Sequence, residues 1–299
     1  MKRSILLSFA LVLLLVAGCR IASITGPIGD FVGGGIGKLV KTAGNAVDSA
    51  VAGMEDFTPE QEYYLGRGVA ASILGRYPPL GNPAADEYLN LLGQSLALHA
   101  SPPHPFGGYR FLVMDSTEVN AFSAPGGFVL LTRGLISDVE NEDELAAVLA
   151  HEIAHIQLKH GIDHAWFNKM IQGLKDAGNT TADTLLTSKG RGLLNTVYNN
   201  TVDNVVLTLL NKGYTNSDEQ DADKEALLIL QRAGYSGAAL PKVLARLNSR
   251  SVARGGFGKT HPAPADRIKA LDVSGTVPPN TVRQQRFSAA LRGLTHERR

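Results

Sequence analysis

Two histidines four residues apart, with a glutamate beside the first, constrain this chain more than any other feature: His151-Glu152-Ile153-Ala154-His155. On an α-helix four residues turn about 400°, so both imidazoles leave the same face one turn apart. The flanking residues ask for that helix. Asn141 can cap its start, with Glu144 three residues on, and Glu142, Asp143 and Glu144 suit the positive end of its dipole. Lys159 and His160 suit the negative end, and Gly161 is the expected stop. Two neutral imidazole nitrogens so placed can share one zinc ion. Glu152, about 100° round from His151, then stands beside the ion as a general base for water. With 8 histidines in 299 residues, the pattern arises by chance roughly 0.01 times per chain. On a continuing helix His160 lies about 180° from His151 and reads as a solvent or capping residue; His164, after Gly161, is no better placed.

A catalytic zinc needs a third protein ligand and an open position. The chain has a single Cys, so thiolate clusters and intramolecular disulfides are excluded. The best remaining candidate is Glu219 in Glu219-Gln220-Asp221-Ala222-Asp223. Glu219 and Asp223 share one face of a helix, so Glu219 can ligate while Asp223 accepts the other N–H of a ligand histidine and fixes its tautomer.

The lone Cys19 has its own context. Lys2 and Arg3 precede an apolar run from Ile5 to Val16, interrupted only by Ser8. That run is too short to cross a bilayer, which takes ~20 apolar residues, and fits the apolar core of a secretory signal. Val16-Ala17-Gly18-Cys19 resembles a bacterial lipobox, after which the signal is removed and the cysteine lipidated; the plainer alternative is an ordinary signal with an incidental Cys. Arg20 in place of Asp favours, by resemblance to enterobacterial lipoproteins, an outer-membrane destination facing the periplasm. Loss of Lys2 and Arg3 turns the formal charge from +1 to −1. Membrane attachment would then come from acyl chains, and a nucleic-acid partner is excluded for want of a basic excess.

The coarse organisation is a signal at 1–18, a Gly- and Ala-rich tether at 19–56, a globular domain at 57–275 and a basic tail at 276–299. The tether could hold a weak helix from Ile36 to Val51. Helical patterns run from Pro59 to Leu74, opened by Thr58 and Gln61 as a capping box, from Pro83 to His99, from Ser217 to Arg232 and from Ala238 to Asn248. Tyr109–Met114 and Phe128–Thr132 read as strands, with a turn or edge between them around Pro125. Residues 165–213 read as irregular, and Gly255–Gly258 as a loop.

On these motifs the chain resembles the minigluzincin zinc metallopeptidases, which include the CAAX prenyl proteases and bacterial periplasmic or lipid-anchored relatives. The resemblance covers about residues 57–275. It implies an α+β, mainly α, zincin-like domain with a small sheet beside the zinc helix, and one zinc per chain on His151, His155 and Glu219. It implies catalysis by Glu152 and support from Asp223. Asn120-Ala121-Phe122 with Gly126-Gly127 resembles the family's substrate edge strand, beside which an extended polypeptide would pair. Thr260-His261-Pro262 and Asp266-Arg267 resemble its C-terminal block, which puts His261 near the zinc, as oxyanion donor or as occupant of the open position. The chain departs in having Thr215-Asn216 where the family often has Ser-Arg, and Asp221 where a Glu is common. Membrane spans of the prenyl protease kind are absent after residue 19. The expected activity is endoproteolysis of unfolded or misassembled envelope proteins, with outer-membrane assembly machinery as a partner and residues 165–213 as a lid. The competing expectation is a lipoprotein assembly factor that binds outer-membrane clients with little cleavage.

Overall fold

A computed structural model describes residues 57–101, 104–162, 188–254, 256–262, 264–271, 273 and 280–294. Cys19, the signal, the tether and His164 lie outside the described residues. In chain order the elements are α1 (Pro59–Arg76), α2 (Pro83–Ala97), β1 (Arg110–Met114), β2 (Ala121–Ala124), β3 (Phe128–Thr132), α3 (Arg133–Asp138), α4 (Glu142–Gln157) and α5 (Ser188–Leu207). A π-helical turn (Thr208–Lys212) follows, then α6 (Asn216–Arg232), α7 (Ala239–Arg254), α8 (Phe257–Thr260), α9 (Pro264–Ala270) and α10 (Thr281–Ala290). The architecture is α+β and mainly α, as the sequence implies. The chain divides into two compact units, one of Met1–Gln61 with His164–Thr201, the other of Glu62–Asp163 with Val202–Arg299. The sheet, α4 and the residues of the candidate site lie in the second.

Its centre is α4. Every residue from Glu144 to Ile156 is buried, so this helix is enclosed by the fold instead of lying on its surface. Ala146, Ala147, Ala150 and Ala154 keep its girth small, which lets α6, α7, α2 and the sheet all pack against it. Apolar burial of this extent stabilises at about 25 cal/mol per Å² removed from water. The Asn141 side chain caps the start, accepting from the Glu144 N–H at 3.0 Å.

The sheet has the order β1-β3-β2, with β1 parallel and β2 antiparallel to β3. The segment read as a turn or edge is therefore an edge strand. Pro125 falls just past its end, where no ladder donor is needed. Gly126 and Gly127 make the turn into β3 at φ 70° and 102°. A Cβ on Gly126 would also come within 2.4 Å of the Tyr63 Cα, so α1 crosses this turn backbone to backbone.

Three expectations are corrected. Residues 188–212, read as irregular, are helical, and Val202, Val205 and Leu209 are buried in the last turns of the stretch. The glycine-rich stretch contains α8, started by Gly256 at φ 100° and fixed where Phe257 N–H donates 2.8 Å to the Val119 carbonyl. Gly161 does not stop α4. The helix ends at Gln157, and Lys159 takes the left-handed conformation at φ 59°.

Candidate metal centre

The C-terminal half of α4 and the start of α6 face each other. Thr215 caps α6 in a full capping box with Asp218, which accounts for Thr at that position. One turn in, the Glu219 carboxylate meets the two histidines of α4. His151 Nε2 lies 3.0 Å from His155 Nε2 and 3.5 Å from Glu219 Oε2, and His155 Nε2 lies 3.4 Å from Glu219 Oε1. His261, at the end of α8, brings Nδ1 to 3.0 Å from Glu219 Oε1 and 3.4 Å from His151 Nε2. Among the described residues, His151, His155, Glu219 and His261 can each offer one ligand atom within 4.8 Å of the others, and all four are buried.

These donors fit a metal ion. Three imidazoles and one carboxylate, crowded together and shut off from water, are costly unless something compensates them. Imidazole nitrogens with a carboxylate oxygen suit a zinc-type ion, and no thiolate is involved. His261 was expected either as oxyanion donor or in the open position; the geometry places it within the donor cluster.

Around the donors stands a ring of supports. His151 Nδ1 lies 3.0 Å from Asp223 Oδ1. Asp223 is gripped in turn by Arg267, whose Nε and Nη2 each donate at 2.7 Å to its two oxygens. Arg267 is 1% exposed and also pairs with Glu219. Asp221, two residues from each of these carboxylates and so on the opposite face of α6, points outward to Lys224 at 2.9 Å. His155 Nδ1 lies 2.9 Å from Nδ1 of His160. On the face of His155 the Tyr214 ring stacks at 3.8 Å and 13°. The Tyr214 hydroxyl lies 3.1 Å from Ser123 Oγ and donates 3.4 Å to the backbone carbonyl of the same residue on β2.

The electrostatics follow from burial and these neighbours. Burial pushes His151 down, but the carboxylates of Asp223 and Glu219 outweigh it and bring it up to about 9. Burial and the charge of His151 hold His155 well below the usual histidine range. Burial pushes Glu219 up, but His261, His151 and His155 outweigh it and hold the carboxyl well below its usual range. Asp223 is lowered too: burial opposes, and Arg267 and His151 win. Burial lowers His160, and burial raises the Tyr214 phenol well above its ordinary value.

Glu152 is 0% exposed, and neither carboxylate oxygen has a hydrogen-bond partner among the described residues. Its Oε1 lies 3.6 Å from His261 Nε2. A buried carboxylate with free lone pairs beside a donor cluster is poised to accept a proton.

The edge segment sits beside this cluster. Asn120, Ala121 and Phe122 are buried. The Thr132 N–H donates 3.1 Å to Asn120 O, so alternation along the antiparallel ladder turns the backbone groups of Ala121 and Ser123 away from β3. The outward Ser123 carbonyl is the one that Tyr214 holds. Three residues escaped sequence reasoning. His160 was set aside because the helix was taken to continue through it. Tyr214 carried no motif. Arg267 was noted only as part of a block, and its charge match to Asp223 was the signal that could have placed it.

A family model described as Peptidase family M48 matches residues 83–274. The chain is 29% identical over 218 residues to the beta-barrel assembly-enhancing protease of Escherichia coli O157:H7, covering 70% of this chain and 42% of that protein. It is 30% identical over 222 residues to the protein of the same name from Shigella flexneri, with the same coverage of 70% and 42%. It is 25% identical over 163 residues to the metalloprotease LoiP of Escherichia coli, covering 54% of this chain and 61% of that protein. The chain thus spans about two-fifths of the length of the first two relatives, at 42% of each.

Proposed function

The chain belongs to peptidase family M48, and on that premise we propose that it is a zinc-dependent endopeptidase of the bacterial cell envelope, cleaving unfolded or misassembled envelope proteins. The observation that carries the reading is the buried cluster of His151, His155, Glu219 and His261 with the unpartnered Glu152 beside it. In this reading residues 1–18 are a removed signal, 19–56 a tether acylated at Cys19, 57–275 the catalytic domain and 276–299 a basic tail. Relatives named for β-barrel assembly support an outer-membrane setting and an assembly-machinery partner.

His151, His155 and Glu219 would hold one zinc ion, with His261 as a fourth donor in this resting arrangement. Bound there, zinc supplies Lewis acidity that polarises the scissile carbonyl and brings the pKa of water towards ~7. Glu152 takes the proton from the attacking water on a carboxylate oxygen and passes it to the leaving amine nitrogen. Asp223, 3.0 Å from His151 Nδ1, favours the tautomer with its proton on that nitrogen, and Arg267 keeps that carboxylate ionised and oriented. Because a catalytic ion needs an open position, His261 must withdraw for a peptide to reach it. The substrate runs extended beside β2, at Asn120 to Phe122 with the Gly126-Gly127 turn at its end. It pairs through main-chain groups, which would tolerate many sequences.

The test is cleavage of reduced casein and of a urea-unfolded outer-membrane β-barrel by the full chain, by Glu152→Gln and by the full chain with a chelator, with zinc content measured in parallel. Fragments from wild type alone, at one zinc per chain, are expected. Zinc-loaded wild type that binds the unfolded barrel without cutting it would instead favour an assembly factor. Incorporation of labelled palmitate, lost in Cys19→Ala, tests the anchor.

A further inference from the structure

The two histidines of α4 are backed in different ways. Behind His151 stands a carboxylate, Asp223, itself clamped by Arg267. Behind His155 stands a second imidazole, His160, with the two Nδ1 atoms 2.9 Å apart. We infer that His160 is a positioning residue for His155: its Nδ1 accepts the Nδ1–H of His155 and so fixes the tautomer that leaves Nε2 free for the metal. The inference rests on the metal-site reading above.

The argument begins with the ring of His155. Its Nε2 faces the donor cluster, 3.0 Å from His151 Nε2 and 3.4 Å from Glu219 Oε1. A ligating nitrogen carries no proton, so the proton of neutral His155 is on Nδ1. A buried N–H needs an acceptor, and the atom within reach is Nδ1 of His160. That requires His160 to be neutral with its own proton on Nε2. The pairing places an acceptor behind His155 without burying another carboxylate in a cluster that already holds Glu152, Glu219 and Asp223.

The backbone is bent to achieve this. Continued as a helix, the chain would carry His160 to the far side of α4. Instead Lys159 adopts φ 59°, the one positive φ at a non-glycine residue among the described residues. This conformation is unfavourable for an ordinary L-residue, whose Cβ crowds the following carbonyl oxygen. Lys159 Nζ pairs with Glu62 Oε1 at 2.6 Å, and two hydrogen bonds close the turn, Lys159 N–H to Ile156 O at 3.2 Å and His160 N–H to His155 O at 3.0 Å. This is a Schellman ending with lysine in the position usually given to glycine. The turn doubles the chain back and lays the His160 imidazole against His155, edge to face with centroids 5.0 Å apart. A helix end alone needs neither histidine nor that ring contact.

The experiment compares the full chain with His160→Ala, His160→Phe and His160→Asn. Phenylalanine keeps the ring volume without an acceptor; asparagine offers a carbonyl oxygen. Zinc dissociation constants come from competition with a chromophoric chelator, and cobalt-substituted protein reports ligand geometry through its visible spectrum. Supports of this kind are worth about 10–100-fold in metal affinity. A loss of that size is expected in the Ala and Phe variants, with an altered cobalt spectrum. In the Asn variant affinity should return to within about threefold of wild type, and metal-free melting should be unchanged throughout. Wild-type affinity in the Ala and Phe variants, or an Asn variant no better than Phe, overturns the inference. Should the Ala variant fail to fold, the Phe and Asn pair decides. A wild-type chain that binds no zinc removes the metal-site reading and this inference together, whereas zinc-binding wild type with indifferent His160 variants removes this inference alone.

Discussion

The two ends of α4 bury charge in opposite ways. At the N-terminal end, Glu142 is 1% exposed and accepts from the hydroxyls of Tyr88 at 2.8 Å and Tyr235 at 2.9 Å, while Arg286 of α10 completes its shell. Glu144 is held by Arg246 of α7, with Nη2 at 3.0 Å. Asp143 takes Arg283 at 3.0 Å. Each anion there has a cation, and the neighbouring hydroxyls are used. At the C-terminal end, His151 and His155 of the same helix meet Glu219 and His261 with ligand atoms within 4.8 Å of one another, and Glu152 keeps two buried oxygens without a hydrogen-bond partner. The closed end fastens α2, α7, α10 and the turn after α6 to the helix. The open end holds the same kinds of group in a state that only a ligand and a substrate can complete. A buried charge is thus evidence for function when its surroundings leave it incomplete, and for architecture when they do not.

Four predictions test that contrast, from the largest effect down. Glu152→Gln should lower cleavage on the order of 10³-fold while zinc content and melting stay as in wild type; a parallel fall in zinc content would make Glu152 part of the scaffold. Glu142→Ala should do the reverse. By leaving two buried tyrosine hydroxyls and a guanidinium short of a partner, it should cost about 2–3 kcal/mol of stability in urea unfolding, with zinc affinity per folded chain unchanged. A shift in zinc affinity would couple the two ends.

Tyr214→Phe keeps the ring on His155 and frees the Ser123 carbonyl on the substrate edge. Steady-state kinetics on casein should show KM falling about threefold at constant kcat, the worth of one modest hydrogen bond; a rise in KM would mean that the hydroxyl helps to bind substrate. The smallest effect concerns Tyr235, pushed up to about 12 by burial and by Glu142. Its folded pKa lies above the unfolded one near 10, so its contribution is full below pH 10 and drains away as pH rises through 12. Stability of Tyr235→Phe should therefore fall less steeply over that interval, and phenolate absorbance should show one late-titrating tyrosine fewer.

Much of the fold was legible. The Asn141 cap, β3 from Phe128 to Thr132 and the helical pattern of α6 from Ser217 to Arg232 emerge where local chemistry and tertiary packing agree. The misreadings share one cause. Gly255 to Gly258 has the composition of a loop, yet α8 forms there because Val119 takes the Phe257 N–H and the Thr260 carbonyl takes the Tyr214 N–H at 3.0 Å. His160 was set aside by extending helical periodicity through a turn that lysine gives no sign of making. Tyr214 follows Gly213 at φ 73° and reaches Ser123 across 91 positions of sequence, a distance that no local pattern reports.

The sequence by itself determined the chemistry available: the His151, Glu152 and His155 spacing on a capped helix, a carboxylate pair on a later one and no cluster of thiolate ligands. These are properties of neighbours along the chain, set by helical geometry and side-chain type. The tertiary structure alone decided which of those groups meet. It brought His261 into the cluster, clamped Asp223 with Arg267, turned His160 back onto His155 and set the Tyr214 hydroxyl against Ser123 of β2. Such contacts join residues far apart in sequence or depend on one backbone reversal, and their energies come from burial and from exclusion of water, neither of which exists until the chain has folded.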